Sequence, residues 1–165
     1  MTTHNAKDAH QPAVVHVITV SDTRTAADDK SGALLKERLA QAGHTVVGPV
    51  IVKDERALIH AAILQAVAEG AQAVVLNGGT GIAPRDVTPE VVTPLLDKVL
   101  EGFGEMFRNL SVAEIGPAAM LSRAVAGTRG PVFIAALPGS TAACRLGVEK
   151  LIIPVLPHVL GLLRG

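Results

Sequence analysis

The sequence contains no tryptophan and no tyrosine, and only three phenylalanines. Stacking of bases on aromatic side chains, by which many proteins hold single-stranded nucleic acid, is therefore not expected here. The formal net charge is zero, with 15 basic and 15 acidic residues. The basic excess typical of proteins that bind nucleic acid or anionic membranes is thus missing as well. We expect neither nucleic acid nor a membrane as a partner.

Cysteine is nearly absent: Cys144 is the only one, so no internal disulfide can form. This fits a reducing, cytoplasmic location. Cys144 has no base near it in the sequence, which favours a small buried residue over a nucleophile. The six histidines are scattered without metal-ligand spacing. No apolar run reaches the about 18 residues of a membrane span, and no signal-peptide core is recognised near the N-terminus.

What is present is a chain of 165 residues with an apolar fraction of 48%. This length suits one domain, and a domain of this size buries about 70% of its unfolded surface. Residues 1–12 are polar and unpatterned, so a flexible N-terminal tail is predicted there. We assign residues 13–165 to a single domain.

Apolar strands and amphipathic helices alternate along that domain. Gly48-Pro49 interrupts the second strand and indicates a bulge or an edge position, and Pro154 and Pro157 predict a broken final helix. The alternation predicts a three-layer α/β/α sandwich around a mostly parallel, Rossmann-like sheet. Strands are predicted at residues 14–20, 45–52, 74–76, 124–128 and 132–137, and helices up to 42 and at 57–69, 88–100, 113–123 and 142–163.

The most informative segment is VVLNGGTGIAPRDVTPE at residues 74–90. It predicts a buried strand, a glycine-rich turn and a helix start, with Thr88 as a candidate N-cap and Pro89 in the first turn. A glycine-rich turn at the carboxyl end of a strand exposes backbone N–H groups, which suits a phosphorylated ligand. Arg85 and Asp86 add one cation and one carboxylate. The alternative is an ordinary tight connection between strand and helix.

Two common phosphate-binding loops are excluded by the residues after Gly81. A Walker A loop requires Gly-Lys-Ser/Thr, and no lysine follows. A dinucleotide-binding fingerprint requires a third glycine three residues later, where this chain has Pro84.

Three other turns follow predicted strands: the one containing Asp22, the one containing Asp54, and residues 138–141. Because parallel strands end at one edge of a sheet, these turns and the glycine-rich turn are expected to converge on a ligand cleft. Asp54 has the alternative of being only a helix cap, and Ser140 or Thr141 can cap the final helix.

Six blocks of sequence, in order, now identify a family resemblance: VSDTR (20–24), DKSG (29–32), GGTGIAPRDVTPE (78–90), GFGEMFR (102–108), LSRAVAG (121–127) and LPGST (137–141). The chain resembles the molybdopterin adenylyltransferases of molybdenum cofactor synthesis, the MoaB and Mog proteins. Its LPGST block is closer to the MoaB branch. The resemblance implies a molybdopterin-binding α/β sandwich, a homotrimer and possible contact with the molybdate-inserting enzyme.

The activity implied by the resemblance is transfer of AMP from Mg-ATP to the phosphate of molybdopterin. The family's two functional aspartates match Asp54 and Asp86, which would be catalytic and would hold Mg²⁺ directly or through water. The matching blocks imply further contacts to ATP or molybdopterin from Ser21, Asp22, Gly78, Gly79, Thr80, Gly81, Arg85, Glu105, Arg108, Pro138, Gly139, Ser140 and Thr141.

Two alternatives remain beside this enzyme. The first is a molybdopterin-binding or scaffold protein of the same pathway that does not turn over ATP. The second is the related domain of competence-damage-inducible proteins and molybdate-inserting enzymes. Those proteins carry an extra domain and a different sequence after the first strand, where this chain has Ser21-Asp22-Thr23-Arg24.

Overall fold

A computed structural model describes residues 11–165, so most of the tail predicted at 1–12 lies outside the described residues. The described residues form a six-stranded sheet of order β2-β1-β3-β6-β5-β4. The strands are β1 (Val14–Val20), β2 (Thr45–Val52), β3 (Ala73–Asn77), β4 (Lys98–Val99), β5 (Val125–Arg129) and β6 (Val132–Leu137). The helices are α1 (Lys30–Gln41), α2 (Arg56–Ala68), α3 (Thr88–Leu95), α4 (Glu101–Ile115), α5 (Thr141–Gly147) and α6 (Ile153–Arg164).

Four neighbouring strands, β2, β1, β3 and β6, are parallel, and β5 and β4 add antiparallel pairs at one side. The register places Thr19, Asn77 and Leu137 side by side, with Val20 opposite Val52. The four parallel strands therefore end together. The chain first moves from β1 to β2 and then returns to the other side of β1 for β3. This reversal creates a crevice beyond the carboxyl ends of β1 and β3, where open α/β sheets bind ligands.

Alternate residues of the central strands pack into two separate cores, one on each face of the sheet. Val75 and Leu137 pack with α1, α4, α5 and α6, whereas Val74 and Leu76 pack with α2 and α3. Both faces of these strands are thus covered, which explains their continuous apolar sequences. The predicted three-layer α/β sandwich with a mostly parallel sheet is confirmed.

Three predicted helices differ from the structure. The helix predicted at 88–100 ends at Leu95, because the chain turns into the two-residue edge strand β4, which pairs with β5. The helix predicted at 113–123 is the end of α4 followed by a 3₁₀ helix at Gly116–Leu121. Pro117 lies in the first turn of that segment, where its missing N–H costs nothing.

The final helix is not broken at its prolines, so that prediction is wrong. A π-helical segment, Val148–Ile152, joins α5 to α6. Pro154 falls in the first turn of α6, and Pro157 lies inside it. The π segment already departs from regular i−4 hydrogen bonding. A proline just after it therefore disrupts fewer helical hydrogen bonds than a proline inside a regular helix would.

By length and composition alone, this continuous helix, Thr141–Arg164, passes the test for a membrane span, with a mean hydropathy of 1.7 and 33% of the tested window buried. The sequence predicts that no apolar run is as long as a membrane span, but this helix has both the length and the average hydropathy of one. Its buried side chains, including Val148, Ile152 and Leu156, pack in the core against the sheet. A core helix passes the same test, so the result is weak evidence for a membrane span.

The second strand is an edge strand with a bulge, as the Gly48-Pro49 pair predicts. β2 lies at one end of the sheet, and its register with β1 shifts between His16 and Ile18. The Gly48–Pro49 peptide bond is cis. The bulge lies in the middle of the strand, so the strand still ends in register with β1 and delivers Asp54 to the crevice.

Candidate functional site

The crevice contains a cavity of about 470 Å³ at the carboxyl ends of the parallel strands. Its walls come from the turns that follow β1, β2, β3 and β6, so all four predicted turns contribute to it. The lining residues are Val20, Ser21, Asp22, Thr23, Arg24, Asp54, Gly78, Gly79, Thr80, Gly81, Asp86, Pro138 and Gly139.

The glycine-rich turn is anchored at its start. The Gly78 N–H donates to Leu137 O at 2.9 Å, and the buried Thr88 hydroxyl donates to Gly78 O at 2.8 Å. The Thr88 N–H donates to Gly79 O at 3.0 Å. α3 begins at Thr88 and its N-cap residue is Val87, so the prediction of Thr88 as the N-cap is wrong. The Thr88 hydroxyl instead ties the turn to the helix.

The N–H groups of Gly79, Thr80 and Gly81 donate to no acceptor among residues 11–165. All three residues line the cavity. Unused backbone donors beside an open cavity are suited to the oxygen atoms of a phosphate.

Three aspartates stand around the cavity. The Asp54 N–H donates to Asp22 Oδ1 at 3.1 Å, so the turns after β1 and β2 are joined. α2 begins after Glu55, and the Asp54 side chain does not cap it. The Asp86 carboxylate accepts the Ala83 N–H at 2.9 Å and so folds back over the glycine-rich loop. The reading of Asp54 as a helix cap is therefore wrong.

Arg85 pairs with Asp22 through two hydrogen bonds, from Nε to Oδ2 and from Nη2 to Oδ1. The hydrogen bond from Arg85 lowers the pKa of Asp22. Asp54 behaves oppositely: burial raises its pKa first, and the negative charges of Asp22 and Asp86 add to that effect. The cavity therefore has two different carboxylates: Asp22, whose negative charge is balanced by Arg85, and Asp54, whose pKa is raised.

The family model that matches this chain is described as a probable molybdopterin binding domain, and it covers residues 16–158. Molybdenum cofactor biosynthesis protein B of Bacillus cereus is 48% identical over 159 residues, which are 95% of this chain and 94% of that protein. The protein of the same name from Escherichia coli K12 is 44% identical over 88% of this chain and 86% of that protein. This chain belongs to the MoaB-type molybdenum cofactor biosynthesis proteins.

Solved structures of the family agree with this fold. The crystal structure of a molybdenum cofactor biosynthesis protein B superposes with a TM-score of 0.90 at 48% identity, covering 93% of this chain and 97% of that one. The tungsten cofactor synthesizing protein MoaB from Pyrococcus furiosus superposes with a TM-score of 0.86 at 40% identity, covering 95% and 100%. The α/β sandwich of the MoaB-type proteins is thus the fold of this chain.

Not every predicted site residue of this MoaB-type protein reaches the cavity. Glu105 and Arg108 line a different cavity of about 320 Å³ between α4 and β5. Both lie on α4, whose buried residue Phe107 packs into the core, so the helix holds them beside β4 and β5. Arg108 Nη1 donates to Ser122 O at 3.3 Å.

The last predicted turn divides between two roles. Pro138 and Gly139 line the cavity, whereas Ser140 is the N-cap of α5 and accepts the Ala143 N–H at 3.1 Å. Thr141 is the first residue of α5 and is not a lining residue. The prediction that Ser140 or Thr141 caps this helix is confirmed for Ser140.

Arg24 is a cavity residue absent from the predicted site. Its Nη2 donates to Gly139 O at 2.7 Å, and its Nη1 donates to Asn77 Oδ1 at 3.5 Å. Asp29 lies 3.8 Å away and is almost fully buried. The signal in the sequence was its position in the VSDTR block, directly after Ser21-Asp22-Thr23 at a strand end.

The raised pKa of Asp54 gives a stability prediction. A carboxyl whose folded pKa lies above its ordinary 3.8 favours folding when protonated, and this contribution is lost as the pH rises through the folded pKa. We therefore expect Asp54→Asn to increase the free energy of unfolding at neutral pH, by less than about 1 kcal/mol because solvent screens the site. The gain should vanish as the pH falls below 3.8.

Urea unfolding of the wild type and Asp54→Asn at a series of pH values measures this difference. Glu37→Gln on the exposed surface of α1 is the matched control: its side-chain oxygen can still accept from Gln41 Nε2, at 3.1 Å in the wild type, so stability is expected to stay almost unchanged. Lower stability of Asp54→Asn at neutral pH would show that the Asp54 carboxylate supports the fold.

Proposed function

We propose that this protein transfers AMP from Mg-ATP to the phosphate of molybdopterin, with release of pyrophosphate. The observation that carries the proposal is one cavity that combines free N–H groups at residues 79–81 with the carboxylates of Asp54 and Asp86. Such a cavity can hold a chain of phosphates on one side and its counter-cation on the other.

In the proposed reaction an oxygen of the molybdopterin phosphate attacks the α-phosphorus of ATP. The bond between that phosphorus and the bridging oxygen breaks, and its electron pair leaves with pyrophosphate. Catalysis of this type of transfer depends on positioning and on neutralising charge. The backbone donors of the glycine-rich loop would bind phosphate oxygens, and Arg85 would balance negative charge at the rim.

Mg²⁺ fits the residues present. It is commonly held by one or two carboxylates together with substrate phosphates and waters. Among residues 11–165 no group of three His, Cys, Asp or Glu side chains could hold a metal ion together. Asp54 and Asp86 would thus supply the protein ligands, directly or through water, and the nucleotide would supply the rest. Bound Mg²⁺ would withdraw negative charge from the phosphate oxygens during transfer.

Two lining residues from the turn after β1, Ser21 and Arg24, support the molybdopterin side of the proposal. Arg24 faces the same cavity and is held by Asn77 and Gly139. The Ser21 hydroxyl oxygen accepts the N–H groups of Thr23 and Arg24 at 3.2 and 3.1 Å, so its proton remains available to a ligand. A cation and a hydroxyl donor near Gly139 suit the phosphate of the pterin.

The test is an adenylation assay with purified protein, molybdopterin and Mg-ATP. Formation of adenylyl-molybdopterin and pyrophosphate in equal amounts is expected, and both should disappear without Mg²⁺. An ATP analogue with a methylene group between the α- and β-phosphorus atoms should bind and give no product. Binding of molybdopterin without nucleotide consumption would instead identify a binding or scaffold protein.

Assembly is part of the proposal. α4 and the following 3₁₀ segment expose several large apolar side chains: Met106, Leu110, Val112, Ile115, Met120 and Leu121. An exposed apolar surface of this kind is typical of a protein–protein interface, which supports the proposed homotrimer and contact with the molybdate-inserting enzyme. Sedimentation equilibrium gives the mass of the particle, and a monomer at all concentrations would exclude the trimer.

A further inference from the structure

Arg123 lies behind the glycine-rich loop and touches it at several points. It belongs to the turn that precedes β5, and it is not among the residues that line the cavity. Its Nε donates to Gly81 O at 2.9 Å, and its Nη2 donates to Asp86 O at 3.0 Å. Its own N–H donates to Thr80 O at 2.9 Å.

These bonds determine where the loop's N–H groups point. In a trans peptide the C=O of one residue and the N–H of the next point in opposite directions. Because Thr80 O and Gly81 O are turned toward Arg123, the N–H groups of Gly81 and Ile82 are turned away from it. Carbonyl oxygens repel phosphate, so a phosphate-binding loop needs its carbonyl groups held on the side away from the ligand.

The guanidinium also joins the two ends of the loop that carries Asp86. It holds the C=O of Gly81 and that of Asp86 at once. At Gly81 a side-chain Cβ would lie 2.8 Å from Asp86 Oδ2, which shows how closely the Asp86 carboxylate is folded over this residue. A shift of either carbonyl would therefore move the carboxylate.

The charge of Arg123 is balanced by its ion pair with Glu90 in the first turn of α3. The hydrogen bond from Arg123 lowers the pKa of Glu90, so the pair stays ionised at neutral pH. Glu90 thereby orients the guanidinium from the helix side while the other two nitrogens reach the loop.

We infer that Arg123 is a positioning residue for the phosphate-binding loop: it turns the loop's carbonyl groups out of the cavity and fixes the placement of Asp86. This inference deepens the proposed adenylyl transfer and rests on it for its effect on turnover. Its effect on the loop itself is independent of the reaction.

The discriminating variant is Arg123→Lys. Lysine keeps the charge and can still pair with Glu90, but one ammonium group cannot reproduce a planar fork that reaches three acceptors. The matched control is Arg129→Lys, because Arg129 Nη1 also donates to a backbone carbonyl, Leu95 O at 3.1 Å, away from the loop.

The first readout is hydrogen exchange in the ligand-free protein. In the wild type the Ala83, Asp86 and Thr88 N–H groups are hydrogen-bonded within the loop and its helix junction. Arg123→Lys should speed exchange in this segment, and Arg129→Lys should not. Unchanged exchange in Arg123→Lys would overturn the inference, whether or not the wild type turns over ATP.

The second readout is function. Loss of hydrogen bonds from a charged donor should lower the affinity of Arg123→Lys for Mg-ATP by about tenfold and reduce kcat further. Added ethylguanidinium should restore part of the AMP-transfer rate that Arg123→Ala has lost, because it supplies the missing guanidinium group. If Arg123 only stabilised the fold, Arg123→Ala would lower the melting temperature, and added ethylguanidinium would not restore the rate.

Failure of the proposed function and failure of the inferred role of Arg123 give different results. A wild type that forms no adenylyl-molybdopterin, combined with faster loop exchange in Arg123→Lys, rejects the proposed function and keeps the role of Arg123. An active wild type whose Arg123→Lys variant binds Mg-ATP and turns over normally rejects the role of Arg123 and keeps the function.

Discussion

Replacement of Asp86 by asparagine is expected to lower the rate of AMP transfer by at least about 100-fold while leaving the fold intact. The side chain is nearly the same size, and its oxygen can still accept the Ala83 N–H that Asp86 accepts at 2.9 Å. What is lost is the negative charge beside the glycine-rich loop. In the proposed reaction that charge would help to hold Mg²⁺ against the phosphates, so the transition state should lose more than the bound nucleotide does.

Single-turnover adenylation of molybdopterin with saturating Mg-ATP measures this effect, and circular dichroism checks the fold. Asp97→Asn is the matched control, since Asp97 likewise accepts a backbone N–H, that of Gly130 at 2.6 Å, but lies outside the cavity. An unchanged rate for Asp86→Asn would remove Asp86 from the mechanism.

Replacement of Gly78 by alanine is expected to cause the largest loss of stability, at least about 3 kcal/mol. Gly78 has φ of +102°, a conformation that other residues rarely adopt. A Cβ at this position would lie 2.1 Å from Val20 O, which is backbone of the central strand β1 and cannot move aside. The melting temperature should fall by about 10 °C in a domain of this size.

The control for Gly78→Ala is Gly70→Ala. Gly70 has a similar φ of +91°, but a Cβ there would meet no atom within 4 Å. Its cost should be only the conformational part, about 1–2 kcal/mol. The difference between the variants isolates the contact with Val20 O, and equal melting temperatures would show that β1 and the loop can separate without cost.

The architecture was predictable because it depends on local patterns. The apolar runs of β1, β3 and β6 are long enough to be buried on both faces, and the helices between them have regular apolar spacing. The glycine-rich turn was recognisable for the same reason: Gly78 permits a positive φ, and Pro84 and Pro89 fix φ, wherever these residues occur. These features require no knowledge of which strands become neighbours.

The site was predictable only as far as parallel strands share an edge. That rule predicts that Asp22, Asp54 and the glycine-rich loop lie together at one edge of the sheet. It did not apply to Glu105 and Arg108, which lie on a helix and face a second cavity. Their position depends on how α4 packs against β4 and β5, and β4 is too short to leave a recognisable pattern.

The sequence by itself determined the layers, the parallel sheet and the glycine-rich loop that lines the cavity, because glycine, proline and apolar periodicity act over a few residues. Only the tertiary structure decided that Arg85 neutralises Asp22, that Arg24 faces the cavity and that Arg123 holds the loop from behind. A guanidinium on a long flexible side chain finds partners far away in the chain: Arg24 donates to Gly139, which lies 115 positions further on. No local pattern encodes such contacts, since they arise when separate turns are brought to one edge of the sheet.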